Sequence, residues 1–140
     1  MYKKIHHLGI AVRNLEETIR FYKVTLGLEL EKEIDWTDMG LRAAVFPIGE
    51  SKLEFIEAVD PKGEVAEAIA DSAKFKDGTI HHLCYAVDNI EEEVRNLMAR
   101  GIKMIDEKPK DTRGGKVAWL DKSTVEGFMI ELVEEDYEIV

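Results

Sequence analysis

A long internal repeat is the feature that most constrains this chain. Residues 5–22 (IHHLGIAVRNLEETIRFY) and residues 80–97 (IHHLCYAVDNIEEEVRNL) align without a gap at an offset of 75, and 10 of the 18 aligned positions are identical. Ordinary residue frequencies would give on the order of one identity in such an alignment. A period of this length is too long for one unit of a solenoid. The repeat therefore predicts a single module that occurs twice.

Each copy of the module reads as a strand, a helix and then three strands, which predicts an α+β fold. Asn14 and Asn89 are good N-caps at repeated positions, and each is followed three residues later by a glutamate that completes a capping box. Gly27 and Gly101 end the two helices. The other strands are expected near 28–36, 41–48 and 51–58 in the first copy, and near 102–106, 115–121 and 127–134 in the second.

The length of the chain, 140 residues, allows one small domain with its own hydrophobic core. We expect a single domain over residues 1–140, because no low-complexity linker separates the two copies. Module 1 runs over about 5–58 and module 2 over about 80–134. A connecting helix over about 62–75 joins them, with Val65 and Ile69 on one face and Asp77-Gly78 closing it.

Composition limits the partners and the compartment. Acidic residues outnumber basic ones 29 to 19, for a net charge of −10, which is the wrong sign for binding a phosphate backbone. No apolar run approaches the 18 residues of a membrane span. Cys84 is the single cysteine, and the start of the chain has no apolar signal core. We therefore expect a cytoplasmic protein that binds neither nucleic acid nor membranes.

Alternation along the first strand of each copy separates two neighbouring histidines. His7 shares a face with small residues, whereas His6 shares the other face with bulky aliphatic residues that should pack on the helix. His82 and His81 repeat this arrangement in the second copy. The small-residue face is then free to line a cavity, into which His7 and His82 project.

The last strand of each copy places one glutamate among apolar residues, Glu54 in the first and Glu131 in the second. Such a carboxylate is costly to bury unless it is paired, protonated or bound to a cation. A histidine pair at a strand start is often a surface or core residue, and an isolated strand glutamate usually faces solvent. Two imidazoles and two carboxylates at repeated positions nevertheless favour a site for a divalent first-row metal.

Two other features have structural interpretations. Cys84 lies beside the expected cavity, but no base or helix N-terminus is identified for it, so an inert buried thiol is favoured over a nucleophile. The acidic end of the chain, Glu134-Glu135-Asp136 with Glu138, is expected to be solvated.

The arrangement of two βαβββ modules with His and Glu in their outer strands resembles the vicinal oxygen chelate superfamily. That superfamily includes glyoxalase I, extradiol dioxygenases, antibiotic-sequestering proteins and methylmalonyl-CoA epimerases. The resemblance covers nearly the whole chain and implies a curved mixed sheet around a metal-binding cleft. It is closest to the epimerases, in the segments IHHLGIAV (5–12), GTIHHL (78–83), VDNI (87–90), IDEKP (105–109), GGKVAWL (114–120) and MIEL (129–132).

The resemblance also implies a site and an activity. His7, Glu54, His82 and Glu131 would bind one divalent ion, Co, Ni, Zn or Mn. The chain would be a homodimer that interconverts (R)- and (S)-methylmalonyl-CoA, an acyl-CoA thioester, by removing and returning the α-proton through a metal-stabilised enolate. Glu131 is the candidate general base. Some epimerases carry a second glutamate where this chain has Ala43, so Glu54 is the candidate for the second acid/base.

A second departure from the epimerase pattern lies at Leu120-Asp121-Lys122-Ser123-Thr124, where Lys-Ser-Thr is displaced by one position and a His-Pro pair is absent. A solvated turn is the favoured interpretation of Lys122 and Ser123 over contact with a CoA phosphate.

Two alternative functions stay open. The set of two histidines and two glutamates also resembles bacterial lactoylglutathione lyase, that is, glyoxalase I. Non-catalytic small-molecule binding proteins share the same fold, although they often lack the full ligand set.

Overall fold

A computed structural model describes residues 1–75, 78–112 and 114–135 of the chain. The chain divides into two compact units, one comprising His7–His81 and the other Met1–His6 with His82–Val140. The first strand, β1 (Tyr2–Ala11), thus contributes residues to both units. The start of β1 belongs to the second unit because the Asp88 amide donates to the Met1 carbonyl at 3.2 Å and Lys4 pairs with Glu135 at 3.3 Å.

The unit His7–His81 contains strands in the order β2-β3-β4-β1. These are β2 (Lys32–Trp36), β3 (Leu41–Ile48) and β4 (Ser51–Ala58), together with the end of β1. The β1–β4 pair is parallel, whereas β2–β3 and β3–β4 are antiparallel. The predicted strands are therefore present, and the first of them begins four residues later than expected.

Helix α1 (Leu15–Arg20) begins at Asn14, whose side-chain oxygen accepts from the Glu17 amide at 3.0 Å. The helix continues as a π-helical turn over Phe21–Thr25 and is followed by Gly27, which has a φ of 72°. The predicted start and stop residues of the helix are confirmed. The π-helical turn at its end was not predicted from the sequence pattern.

Two helices cover opposite faces of this four-stranded sheet. Helix α1 packs on the face that carries Ile10 and Val12, as predicted, over a cluster that includes Phe46 and Phe55. Helix α2 (Glu64–Phe75), the predicted connecting helix, covers the other face. Its residue Ile69 lies in one cluster with Ala11 and Ala43. The small-residue face was expected to line a cavity, but α2 fills the end of it that carries Ala11, because these methyl side chains allow close approach of a helix.

The second unit has the corresponding strand arrangement, with one α-helix that corresponds to α1. It contains β5 (Thr79–Val87) from His82 onward, α3 (Ile90–Ala99), β6 (Lys110–Thr112), β7 (Gly115–Trp119) and β8 (Met129–Glu135), with strand order β5-β8-β7-β6. Asn89 caps α3 by accepting from the Glu92 amide at 3.1 Å. Helix α3 packs through Ile90 and Val94 on Leu132 and its neighbours. The α+β class and the βαβββ order of both modules are confirmed.

One predicted strand of the second unit is wrong. Residues 102–106 form only an isolated bridge between Met104 and Leu120, and the edge strand is instead β6. Isolated backbone hydrogen bonds hold this segment. The Ile105 amide donates to the carbonyl oxygen of Trp119, and the Asp121 amide donates to the carbonyl oxygen of Lys103. Ile102 packs against the apolar cluster beneath α3. Burial of its side chain therefore explains the apolar residue in this segment, although the segment is not paired as a strand.

Two glutamates hold the starts of the helices at repeated positions. Oε1 of Glu57 accepts from the Leu15 amide at 2.9 Å, and Oε1 of Glu134 accepts from the Ile90 amide at 3.0 Å. A carboxylate at a helix N-terminus satisfies an amide that lacks an intrahelical partner and interacts favourably with the helix dipole. The expected solvated end is therefore wrong for Glu134, and also for Glu135, which pairs with Lys4. The acidic positions 136 and 138, like the helix stop at 77, lie outside the described residues.

Within the described residues, no helix is long and apolar enough to cross a bilayer.

Replacing Gly40 by alanine should strongly destabilise the first unit. Gly40 has a φ of 68°, and a Cβ there would lie 1.6 Å from the carbonyl oxygen of Asp60. Asp60 cannot withdraw easily, because its amide donates to the Gly40 carbonyl at 3.0 Å. We expect Gly40→Ala to lower the free energy of unfolding by about 3 kcal/mol or more, measured by urea denaturation.

Gly49→Ala is the matched control. Gly49 has a φ of 60°, but a Cβ there meets no atom within 4 Å. Backbone strain alone should cost about 1 kcal/mol at this position. Equal losses for the two variants would show that the contact with Asp60 is not the reason for the glycine.

Removing the carboxylate of Glu134 should weaken the attachment of α3. We expect Glu134→Ala to lower the free energy of unfolding by about 1–2 kcal/mol, because the Ile90 amide loses its acceptor. Glu134→Gln keeps a side-chain oxygen and should recover most of the loss. Glu126→Ala, at an exposed position of the same unit, should change stability by less than about 0.5 kcal/mol. If Glu134→Gln is as unstable as Glu134→Ala, the bond to Ile90 is not the cause.

Candidate metal centre

In the first unit, the pairing of strands brings His7 and Glu54 together. Gly9 is the register partner of Glu54 between β1 and β4, and His7 lies two residues before Gly9, on the same face. Nε2 of His7 lies 3.7 Å from Oε1 of Glu54. The two side chains are only 9% and 14% exposed. The predicted histidine and glutamate of module 1 thus form a largely buried pair.

In the second unit, the same arrangement brings His82 and Glu131 together. Cys84 is the register partner of Glu131 between β5 and β8, and His82 lies two residues before it. Nε2 of His82 lies 3.6 Å from Oε1 of Glu131, and these side chains are 1% and 11% exposed. The two units therefore place the same donor atoms at nearly the same separation.

The separation within each pair fits two ligands of a metal ion. A direct N–H···O hydrogen bond is usually 2.7–3.2 Å long, and both pairs are wider than this. Two ligand atoms that each lie about 2.1 Å from one ion are at most about 4.2 Å apart. Both pairs fall within that limit. Imidazole nitrogen and carboxylate oxygen are also ligands that first-row divalent metals accept, so the residues present fit such an ion.

A further residue of this site was not predicted. The indole of Trp119 contacts the imidazole of His82, with ring centroids 4.7 Å apart and planes at 73°. Trp119 is the register partner of Glu131 between β7 and β8, so the two side chains share a face. Knowledge of the register would have been needed to find this contact, because the sequence places Trp119 far from both residues.

Two other predicted features are also located. Cys84 is fully buried in a small apolar cluster with Ala86 and Val133, so its predicted burial is confirmed, whereas its inertness stays a prediction. Ala43, which stands where some epimerases carry a glutamate, is fully buried in the cluster under α2. This position supplies only a methyl group, so it cannot move a proton.

The Lys122–Thr124 segment forms a short 3₁₀ turn in which Lys122 and Ser123 are exposed, as expected. Oδ1 of Asp121 accepts from the Ser123 amide at 2.9 Å and from the Ser123 hydroxyl at 2.8 Å. These two hydrogen bonds lower the pKa of Asp121. Asp121 and Ser123 thus stabilise the conformation of this turn.

Each unit also has a cleft, apolar in the second unit and half polar in the first, and neither of these clefts is lined by a His–Glu pair. The cleft of the second unit has a volume of about 570 Å³ and lies on the α3 side of the sheet, lined by Tyr85, Leu97 and Ile130 among others. The cleft of the first unit, about 310 Å³, lies against α1 beside Tyr22. In each unit, the His–Glu pair and the cleft therefore lie on opposite faces of the sheet.

The chain is similar to known proteins over almost its full length. Residues 6–119 match the Glyoxalase/Bleomycin resistance protein/Dioxygenase superfamily. An ethylmalonyl-CoA/methylmalonyl-CoA epimerase of Cereibacter sphaeroides is 30% identical over 94% of this chain and 98% of its own length. A mitochondrial methylmalonyl-CoA epimerase of Dictyostelium discoideum is 29% identical over 94% of this chain and 78% of its own length.

A solved structure shares the fold. A variant of the Streptomyces coelicolor methylmalonyl-CoA epimerase, in complex with 2-nitronate-propionyl-CoA, superposes with a TM-score of 0.84. It is 23% identical to this chain and covers 98% of it and 97% of its own length. With two βαβββ modules, a repeated His–Glu pair and these matches, the chain belongs to the glyoxalase/bleomycin resistance protein/dioxygenase superfamily.

Proposed function

We propose that this protein is a metal-dependent epimerase that interconverts the (R) and (S) forms of methylmalonyl-CoA. The observation that carries the proposal is the buried His–Glu pair, present once in each module with nearly the same separation. Relatives of about 30% identity, matched over almost all of this chain, are named as epimerases of this substrate class. The pairs supply the chemistry that such a reaction needs.

His7, Glu54, His82 and Glu131 are proposed to bind one divalent ion, Co, Ni, Zn or Mn. When bound, such an ion acts as a Lewis acid that stabilises negative charge on the carbonyl oxygen of a thioester. The four side chains have the right donor atoms for it, and their burial excludes competing water. Affinity order alone does not select among these metals, so metal analysis of the purified protein identifies the ion.

Proton transfer is assigned to the two glutamates. One carboxylate accepts the α-proton, so that the C–H bond breaks and its electron pair moves into the thioester. A second carboxyl group then donates a proton to the opposite face of the same carbon. Glu131 is proposed as the first group and Glu54 as the second, because Ala43 offers no acid at the position used by some relatives.

The substrate, the assembly and the compartment complete the proposal. The substrate is an acyl-CoA thioester, as the names of the relatives suggest. Since the chain carries a net charge of −10, the CoA phosphates need local positive charge against the overall field. A homodimer in the cytoplasm is part of the same proposal and rests on the resemblance to the family.

Two alternatives are kept because the superfamily contains both. A lactoylglutathione lyase would use the same two histidines and two glutamates on a thiol adduct of methylglyoxal. A non-catalytic binding protein would need no proton-transfer group. The presence of two buried carboxylates, each beside an imidazole, favours an enzyme over a binding protein.

Deuterium exchange separates these functions. Incubation with methylmalonyl-CoA in deuterated water should label the α-carbon, as seen by mass spectrometry. Glu131→Gln should slow this labelling at least about a hundredfold, because it removes the proposed base. Glu126→Gln, an exposed glutamate of the same unit, should label at the wild-type rate. Absence of labelling by the wild-type protein, together with turnover of a methylglyoxal–glutathione adduct, would identify a lyase instead.

Metal analysis tests the ligands. We expect His7→Ala and Glu131→Ala each to weaken divalent metal binding at least about a hundredfold, because each removes a ligand atom from the ion. His6→Ala changes the neighbouring imidazole on the same strand and should keep the wild-type metal content. The measurement is elemental analysis after dialysis, followed by titration with Co²⁺. Full metal content in both ligand variants would refute this site.

A further inference from the structure

We propose that Trp119 is a positioning residue that holds the imidazole of His82 in the plane required for metal binding. This inference rests on the proposed metal centre, because its subject is the direction of a ligand atom. Trp119 is neither one of the proposed metal ligands nor one of the proposed proton-transfer groups. The structure assigns it a role through its contact with a buried histidine.

The strand register brings Trp119 to this position. Glu131 on β8 pairs with Cys84 on β5 and with Trp119 on β7, so Trp119 lies on the face that carries the donor pair. The imidazole of His82 meets the indole edge to face, at 4.7 Å between centroids and 73° between planes. This is a favourable geometry for an aromatic pair. The contact is thus built into the sheet rather than made by a mobile loop.

The contact matters because a histidine ring turns easily about its Cβ–Cγ bond. The energy well for this rotation is broad, so the contacts of the ring with its neighbours decide its plane. The lone pair of Nε2 lies in that plane, and it reaches an ion only when the plane points toward it. His82 is 1% exposed, so bulk water has little access to orient the ring. The indole of Trp119 restricts the plane of the imidazole while Nε2 stays 3.6 Å from Oε1 of Glu131.

The first module provides an internal comparison. The residue in register with Glu54 on β3 is Val45, which stands where Trp119 stands relative to Glu131. An isopropyl group cannot make an edge-to-face ring contact. At this register position, the first module therefore has no counterpart of Trp119, and the surroundings of the two His–Glu pairs differ.

The test compares three variants by their affinity for Co²⁺ and by the visible absorption spectrum of the cobalt form. W119V removes the ring and should weaken binding at least about tenfold and change the spectrum. W119F keeps an aromatic face and should stay within about threefold of the wild type with an unchanged spectrum. W36V removes the other tryptophan, which packs in the α2 cluster of the other unit, and should alter stability without altering cobalt binding.

Two outcomes overturn the proposal while leaving the metal centre intact. Either W119V binds cobalt like the wild type, or W119F binds as weakly as W119V. If the wild-type protein binds no Co²⁺, the proposed metal centre fails, and NMR of the metal-free protein decides the role of Trp119. Sharp His82 ring signals in the wild type and W119F, broadened in W119V, support positioning, whereas unchanged signals in W119V refute it.

Discussion

The burial of a carboxylate beside an imidazole, once in each unit, is the constraint on which the rest of this structure depends. A buried carboxylate is unfavourable unless its charge is compensated, so the strands that carry it must be aligned with those that carry its partner. In the first unit this fixes Gly9 opposite Glu54, and in the second it fixes Cys84 opposite Glu131. A slip of one residue would turn Glu54 to the face covered by α1 and Glu131 to the face covered by α3. The parallel pairing of strands in each unit is therefore what places the glutamate beside its histidine.

The sequence predicted the faces of the strands well, because alternation is a local property. Alternation placed His7 and Glu54 each on the face of its own strand away from the bulky residues, and the structure brings Nε2 of His7 to 3.7 Å from Oε1 of Glu54. The bond from Glu57 to the Leu15 amide could not be predicted in the same way. It depends on where the end of β4 lies relative to the start of α1, which only the closed unit determines. A glutamate at a strand end looks solvated until a helix N-terminus is placed beside it.

The other errors have the same origin. Residues 102–106 have the composition of a strand, yet a strand also needs a partner edge, and only Met104 finds one. The small-residue face of the first sheet looked open, but α2 fills part of it through Ala66 and Ile69. Small side chains indicate close approach of some other group, but they do not indicate whether that group is a ligand or a helix. On this face, α2 covers the end that carries Ala11, and the His7–Glu54 pair lies at the other end.

Comparison of the two copies shows where the repeat is exact and where it is not. The His–Glu pairs and the helix-start glutamates are kept in both units, whereas the packing around them differs. Tyr22, Phe46 and Phe55 stack together beneath α1, and Leu97, Leu120 and Leu132 stand at the corresponding places beneath α3. The two carboxylates likewise have different neighbours, a valine beside one and an indole beside the other. An epimerase must act on two opposite faces of one carbon atom, which are not equivalent in a chiral CoA ester. Under the proposed function, the unlike surroundings of Glu54 and Glu131 would match the inequivalence of those two faces.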